Sequence, residues 1–250
     1  MDIFRTKSIE MLKAGAERVA LKKTLGATDL VLLGIGCIVG TGIFVLTGVA
    51  AAKYAGPGIM LSFILSGLAC TFAALAYAEL ASIVPISGSA YTYTYAALGE
   101  FFAWIVGWNL VLEYSVGSSA VAAGWSGYVV GLLKSGGIEL STAYTAVPAD
   151  GGIVNLPAMF IALFITWLLV LGTKESANLN RILVFIKLAA VFIFLALAGP
   201  KVNVANWSPL MPFGFSGVAA GAAIVFFAYI GFDAVATAAE ECKNPNRDLP

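Results

Sequence analysis

The chain has 250 residues, 60% of them hydrophobic and only 11% charged, with a formal net charge of zero and a mean hydropathy of +0.92. Soluble domains carry about 25% charged residues, so a largely water-facing surface is excluded. Histidine is absent and the three cysteines are dispersed, which removes the usual proton shuttle near neutral pH, the commonest metal ligand and any disulfide framework. No metal, cofactor or nucleic-acid partner is expected.

The first 28 residues lack the apolar run and small-residue cleavage site of a signal peptide. In them Ile3, Phe4, Ile9, Met11 and Leu12 alternate with Arg5, Lys7, Glu10 and Lys13. A short amphipathic segment at the membrane interface and a disordered tail both fit that mixture. Six apolar stretches follow, at 30–54, 58–83, 101–133, 155–172, 179–198 and 214–239, each near or above the roughly 18 residues that span a bilayer. The chain therefore reads as an all-α polytopic membrane protein, with a cytoplasmic segment at 1–28 and a transmembrane domain at 29–250.

Orientation follows from Lys and Arg. Arg5, Lys7, Lys13, Arg18, Lys22 and Lys23 precede the first span, Lys174 and Arg181 lie between the fourth and fifth, and Lys243 and Arg247 follow the sixth. The other side holds Lys53, Lys134 and Lys201, so ten against three predict a cytoplasmic N-terminus. A multi-pass protein of the cell membrane is expected.

The first span contains Gly34-Ile-Gly36-Cys-Ile-Val-Gly40-Thr41-Gly42-Ile43-Phe44, four glycines in nine residues, each costing a helix interior about 1 kcal/mol relative to alanine. A dinucleotide fingerprint fails because no strand precedes it. Gly36-x-x-x-Gly40 fits a close-packing face between helices, and the whole run fits a helix unwound near the midplane. The sixth span repeats the feature in Phe226-Phe227-Ala228-Tyr229-Ile230-Gly231-Phe232-Asp233. Paired interruptions of this kind mark transporter binding sites. Free N–H groups at a half-helix start favour a carboxylate, and free carbonyls at a half-helix end favour an ammonium. An α-amino acid carries both.

Lys187 stands in the middle of the fifth span, where a charge costs several kcal/mol and is usually functional. Lysine, unlike arginine, can release its proton. Lys187 is therefore a candidate for proton coupling, or a fixed tether for the unwound backbone of span one. Glu113, in the third span, is followed by Tyr114, Ser115 and Ser118; a pocket carboxylate that meets a cationic side chain and a protonated packing residue both fit it. Asp233 is placed to cap the second half-helix, and Glu79 to lie at the cytoplasmic end of span two. The stretch 85–100, rich in Ser, Gly and Tyr, reads as an amphipathic or re-entrant inner gate, and 134–154 as a mobile outer loop. Asn206-Trp-Ser208 fits a glycosylation sequon, but Pro209 follows at once, which argues against its use.

Three elements carry a resemblance: Gly40-Thr41-Gly42-Ile43-Phe44, Pro85-Ile-Ser-Gly88-Ser-Ala-Tyr91, and Phe227-Ala-Tyr-Ile-Gly231-Phe-Asp233 running into Glu240-Glu241-Cys-Lys-Asn244-Pro245-Asn-Arg-Asp-Leu-Pro250. In this order they resemble the amino acid–polyamine–organocation superfamily, in its cationic amino acid transporter branch. That resemblance implies a LeuT-type fold of two inverted five-helix repeats. Twelve or more spans are usual there, so the chain is expected to hold the first repeat plus the opening helix of the second. By the same resemblance the substrate carboxylate meets the Thr41 hydroxyl and the N–H groups of Gly40, Thr41 and Gly42. Its ammonium meets carbonyls of Ile38, Phe227 and Ile230. Phe227 is the aromatic gate. Val39, Ile43 and Ala228 are expected to complete the lining, with Glu113 the candidate pocket carboxylate and Lys187 the candidate proton-coupling group read above.

The expected activity is secondary active, proton-coupled symport of L-amino acids by alternating access, with small neutral ones such as alanine first and arginine or lysine as the alternative. A non-transporting amino acid sensor on the same fold is the rival of another class. An enzyme is not expected, since no nucleophile–base pair stands out by spacing, and a channel would need repeated filters. The expected partners are the amino acid, protons and the lipid bilayer; a small membrane-protein partner is not legible in the residues.

Overall fold

A computed structural model of the chain describes residues 5–18, 21–171 and 173–249, with the side chains of all but 16–18 and 173–177 among them. Ile3, Phe4, Gly172 and Pro250, and the side chains of Arg18 and Lys174, thus lie outside the described residues. All regular structure among those described is helical, apart from one isolated parallel bridge between Leu25 and Cys242. The chain divides into two compact units, one of residues 1–107 with 177–250 and one of residues 108–176.

In the first unit, helix α1 (Ile9–Arg18) opens at Ser8, whose Oγ accepts from Met11 N at 3.2 Å. Leu12 packs on the buried core, Lys7 stands 4.9 Å from the Tyr95 ring centroid, and Glu100 N donates to Arg5 O. Residues 5–18 of the N-terminal segment are thus docked on the core and carry a helix, and are not a tail. Helix α2 (Ala27–Ile38) follows, with Asp29 Oδ2 accepting from Gly26 N at 3.1 Å. Helix α3 (Ile59–Ile83) begins after the turn Gly56–Gly58 and stops just before Pro85, which cannot continue it. Helix α4 (Ser89–Ala97) occupies the stretch expected to be an inner gate, and α5 (Glu100–Ser135) starts in this unit. Helices α7 (Thr173–Ala198), which belongs to this unit from Ala177 onward, α8 (Gly214–Val225) and the single turn α9 (Ala234–Thr237) complete the framework.

Two buried serines, one turn apart, stitch α3 to α8. Ser62 Oγ donates to Val218 O at 2.8 Å and Ser66 Oγ to Ala222 O at 2.7 Å. Where apolar packing against lipid gives no drive, such bonds contribute about 0.6 kcal/mol each. The chain is then tied where span one is entered and span six is left. Thr24 N and Leu25 N both donate to Glu241 O at 2.9 and 3.0 Å, and Lys243 N returns a bond to Leu25 O. Ser87 N donates to Glu240 Oε1 at 2.9 Å, and Glu240 N to Ser87 Oγ at 3.4 Å. Leu30, Ala81, Val84 and Cys242 fill the centre of this closure. Burial pushes the Cys242 thiol up, which suits a packing group and not a nucleophile.

The second unit holds the remainder of α5 and helix α6 (Leu156–Leu171). Asn155, expected as the first residue of the fourth span, caps α6: its Oδ1 accepts from Ala158 N at 3.0 Å and from Ser126 Oγ at 2.6 Å. The loop expected to be mobile is folded into turns, with Ile153 N and Val154 N both donating to Ala143 O.

Among the described residues four helical stretches are long and apolar enough to cross a membrane: Ala27–Ile83, Glu100–Ser135, Asn178–Lys201 and Gly214–Thr237. The first is 57 residues long and takes in two of the expected spans, because the chain turns through helical geometry between them. Among the described residues Leu156–Leu171, which begins after the Asn155 cap, is apolar but shorter. Phe72, Phe192 and Leu197 are each at least 68% exposed, which acyl chains tolerate and water does not.

Candidate functional site at two helix breaks

Span one breaks at Val39–Gly40. Val39 N still donates to Ile35 O at 2.9 Å, but Val39 itself leaves the helix at φ −80° and ψ 87°. The ladder resumes with Ile43 N and Phe44 N both on Gly40 O, at 3.1 and 3.2 Å. A π turn over Gly42–Leu46, an α turn over Thr47–Ala50 and a second π turn over Ala51–Ala55 carry the chain onward. Wide π turns of this sort are frequent at functional sites. Thr41 stands at the mouth of the first one, half-buried, and its hydroxyl makes no cap bond to it.

Gly34 and Gly36 do not unwind. They lie within regular α2, about 200° apart around the axis at 3.6 residues per turn, and each admits a neighbour. A Cβ on Gly34 would come 3.2 Å from Val235 Cγ2, and one on Gly36 would collide with the Asn180 amide. Close packing thus accounts for Gly34 and Gly36, whereas Gly40, the other half of the expected packing pair, would meet nothing nearer than Cys37 O at 4.0 Å and belongs to the break.

Span six breaks where α8 passes into a 3₁₀ turn over Phe226–Tyr229. Ile230 N donates to Phe227 O at 3.3 Å, Ile230 turns out of the helix at ψ 134°, and Gly231 adopts φ +114°, a conformation open to glycine and strained for other residues. Tyr229 Oη donates across to Phe63 O at 2.9 Å. Asp233 is 5% exposed and precedes α9, but it makes no side-chain cap bond. This corrects its expected role. An N-cap residue needs an extended backbone, whereas Asp233 is already helical at φ −72° and ψ −22°.

The two breaks touch. A Cβ on Gly42 would land on the backbone of Ala228, and one on Gly231 would lie 2.7 Å from Cys37 Cβ. Onto this junction α7 delivers Lys187, half-buried, whose Nζ donates to Gly36 O at 2.8 Å and to Val39 O at 2.7 Å. These belong to the last turn of the first half-helix, where carbonyls lack intrahelical partners and favour a cation. Asn180 Nδ2 donates to Leu32 O at 3.2 Å, and Arg181 pairs with Asp29.

Ile38, Val39, Gly40, Thr41, Gly42, Ile43, Phe227, Ala228, Ile230 and Lys187 all fall within the first unit, around the junction. Gly42 and Ala228 are buried against each other, and the Val39 carbonyl is engaged by Lys187. Phe227 is half-buried at the head of its break. Glu113 lies on α5 in the second unit, half-buried; Glu79 is exposed near the end of α3. Sequence reasoning missed Asn180. Its signal was a polar residue two turns before Lys187, on the same helix face. Among the described residues no group of three or more His, Cys, Asp or Glu is disposed to hold a metal ion.

An all-α membrane protein in which two broken helices meet beneath a lysine has the build of a carrier's binding site. Comparison with known proteins agrees. The chain matches the amino acid permease family over residues 25–250, and it belongs to that family, within the wider superfamily its motifs resemble. It is 55% identical to the branched-chain amino acid permease BcaP of Bacillus subtilis (strain 168), covering 99% of this chain and 54% of that protein. It is 50% identical to a methylthioribose transporter of the same organism, with the same coverage of each, 99% and 54%. Against the vacuolar cationic amino acid transporter 4 of Arabidopsis thaliana it is 40% identical over 92% of the chain and 40% of that protein. The chain spans about half the length, or less, of these relatives. They are transporters and permeases, not enzymes.

Proposed function

We propose that this protein is a secondary active, proton-coupled symporter of L-amino acids in the cell membrane, with its N-terminus in the cytoplasm. The observation that carries this is the junction itself: two interrupted helices in contact, with Lys187 on the carbonyls of Gly36 and Val39. The substrate carboxylate would take the Thr41 hydroxyl and the backbone N–H groups around Gly40 and Gly42. The ammonium would take carbonyls of Ile38 and Ile230, and Phe227 would close over the side chain. Protonated Lys187 holds α7 to the break. Release of its proton toward the cytoplasm removes two charge-assisted bonds, each about 1.5–3 kcal/mol, and frees the inner closure at Leu25–Glu241 and Ser87–Glu240 to open.

Neutral substrates are favoured because the side chains beside the breaks, Ile38, Val39, Ile43, Phe227 and Ile230, are apolar, and because one relative is named for branched-chain amino acids. Cationic substrates are the second reading, supported by the plant relative. The test is uptake into liposomes under an imposed proton gradient, with unlabelled alanine, leucine, arginine and methylthioribose as competitors at equal concentration. Alanine and leucine should compete better than arginine. The reverse order would move the assignment to cationic substrates, and an absence of counterflow for any of them would favour the sensor.

A further inference from the structure

Asn180, Val184 and Lys187 follow one another along α7 at the spacing i, i+4, i+7, which places them on one face of a helix. Val184 has no exposed surface, and the polar residues on either side of it both reach α2. Asn180 Nδ2 donates to Leu32 O at 3.2 Å; Lys187 Nζ donates to Gly36 O and Val39 O. The two anchors are about 10 Å apart along α7 at 1.5 Å per residue.

Gly36 is shared between them. Its missing side chain makes room for the Asn180 amide, and its carbonyl receives Lys187. Leu32 O lies inside regular α2 and already has a helical partner, so Asn180 does not rescue an orphaned carbonyl. What the contact fixes is the register of α7 on α2. The anchors also differ in chemistry: a carboxamide keeps its bond unchanged at every pH, whereas an ammonium's bonds lose their charge assistance when its proton leaves. The titratable groups facing this region are Cys37 on α2, which faces Lys187, Asp233 of the second break, which faces Cys37, and Arg181 with its partner Asp29.

We propose that Asn180 is a positioning residue for Lys187. Its contact with Gly36 is a fixed pivot that sets Nζ on both carbonyls when Lys187 is protonated. When the proton leaves, the part of α7 beyond the pivot swings away from the break. The proposal rests on Lys187 being the coupling group, and the experiment separates the two.

The complete protein is reconstituted in liposomes as the unsubstituted form, Asn180→Ala, Gly36→Ala, the double variant of these two, and Lys187→Ala. Substrate counterflow and the pH profile of proton-driven uptake are measured for each. Asn180→Ala should retain counterflow while its pH profile moves acidward by about one unit, because an ammonium with poorly placed acceptors gives up its proton more readily. Gly36→Ala should show the same shift, since its methyl displaces the amide. The double variant should recover toward the unsubstituted profile, because the methyl occupies the space the amide leaves. If Asn180→Ala keeps the unsubstituted profile while Lys187→Ala has lost accumulation, the pivot is overturned and the coupling assignment stands. A Lys187→Ala protein that still accumulates substrate overturns the coupling assignment and the pivot with it. A double variant no better than the worse single one overturns the shared contact at Gly36.

Discussion

The break in span one hands its last carbonyls, Gly36 O and Val39 O, to an ammonium from another helix. The break in span six has a glycine at φ +114° and two hydroxyl bonds, Tyr229 to Phe63 O and Ser66 to Ala222 O beside it, with the buried Asp233 at its end. Similar interruptions in the sequence thus have different supports. A neutral hydroxyl bond is the same at every physiological pH, while a lysine's bonds lose their charge assistance when its proton leaves. Under the coupling proposed for Lys187, the lysine bonds at the first break would weaken with loss of its proton, while the two hydroxyl bonds at the second would not.

The comparison breaks most sharply at Lys187. Lys187→Ala should abolish proton-driven accumulation while leaving counterflow measurable; accumulation against a gradient in a normally inserted variant would mean that the first break is as static as the second. Gly231→Ala should destabilise the second break at all pH values. Its Cβ would meet Cys37 at 2.7 Å, at φ +114°, and such backbone strain costs about 1–3 kcal/mol. Thermal unfolding in detergent should show a pH-independent fall in midpoint, and a fall confined to one side of neutrality would contradict the assignment of supports.

Thr41→Val acts on the ligand more than on either support. Removing one hydroxyl bond to a carboxylate costs about 1.5–3 kcal/mol, roughly tenfold to a hundredfold in affinity; unchanged affinity in equilibrium binding would remove Thr41 from the site. The smallest effect is expected for Tyr229→Phe, which deletes the bond to Phe63 O. About 0.6 kcal/mol of stability and no change in the pH profile of uptake are expected. A shifted profile would show that the second break also carries proton dependence.

Much of the local architecture could be read from residue order. Composition and apolar run length decide helices in a membrane, because an unpaired backbone group in hydrocarbon costs several kcal/mol. Glycine density located both interruptions, and the isolated charge at Lys187 marked the helix that serves the first. Boundaries were less legible. Asn155 reads as part of an apolar span until Ala158 N and Ser126 Oγ are seen to share its side chain. Asp233 reads as a cap until its own backbone proves helical.

The sequence by itself determined that the chain is all-α, spans a membrane, interrupts two of its helices and carries one lysine where a charge is expensive, since all of these follow from local chemistry and the solvent. Tertiary structure alone decided which glycines unwind and which pack. Gly34 and Gly40 are chemically identical, and only the approach of Val235 to the first and the departure of the backbone before the second tell them apart. It also decided that Asn180 and Lys187 share α2, because a side chain's partner on another helix depends on register and crossing geometry, which residue order within one helix does not encode.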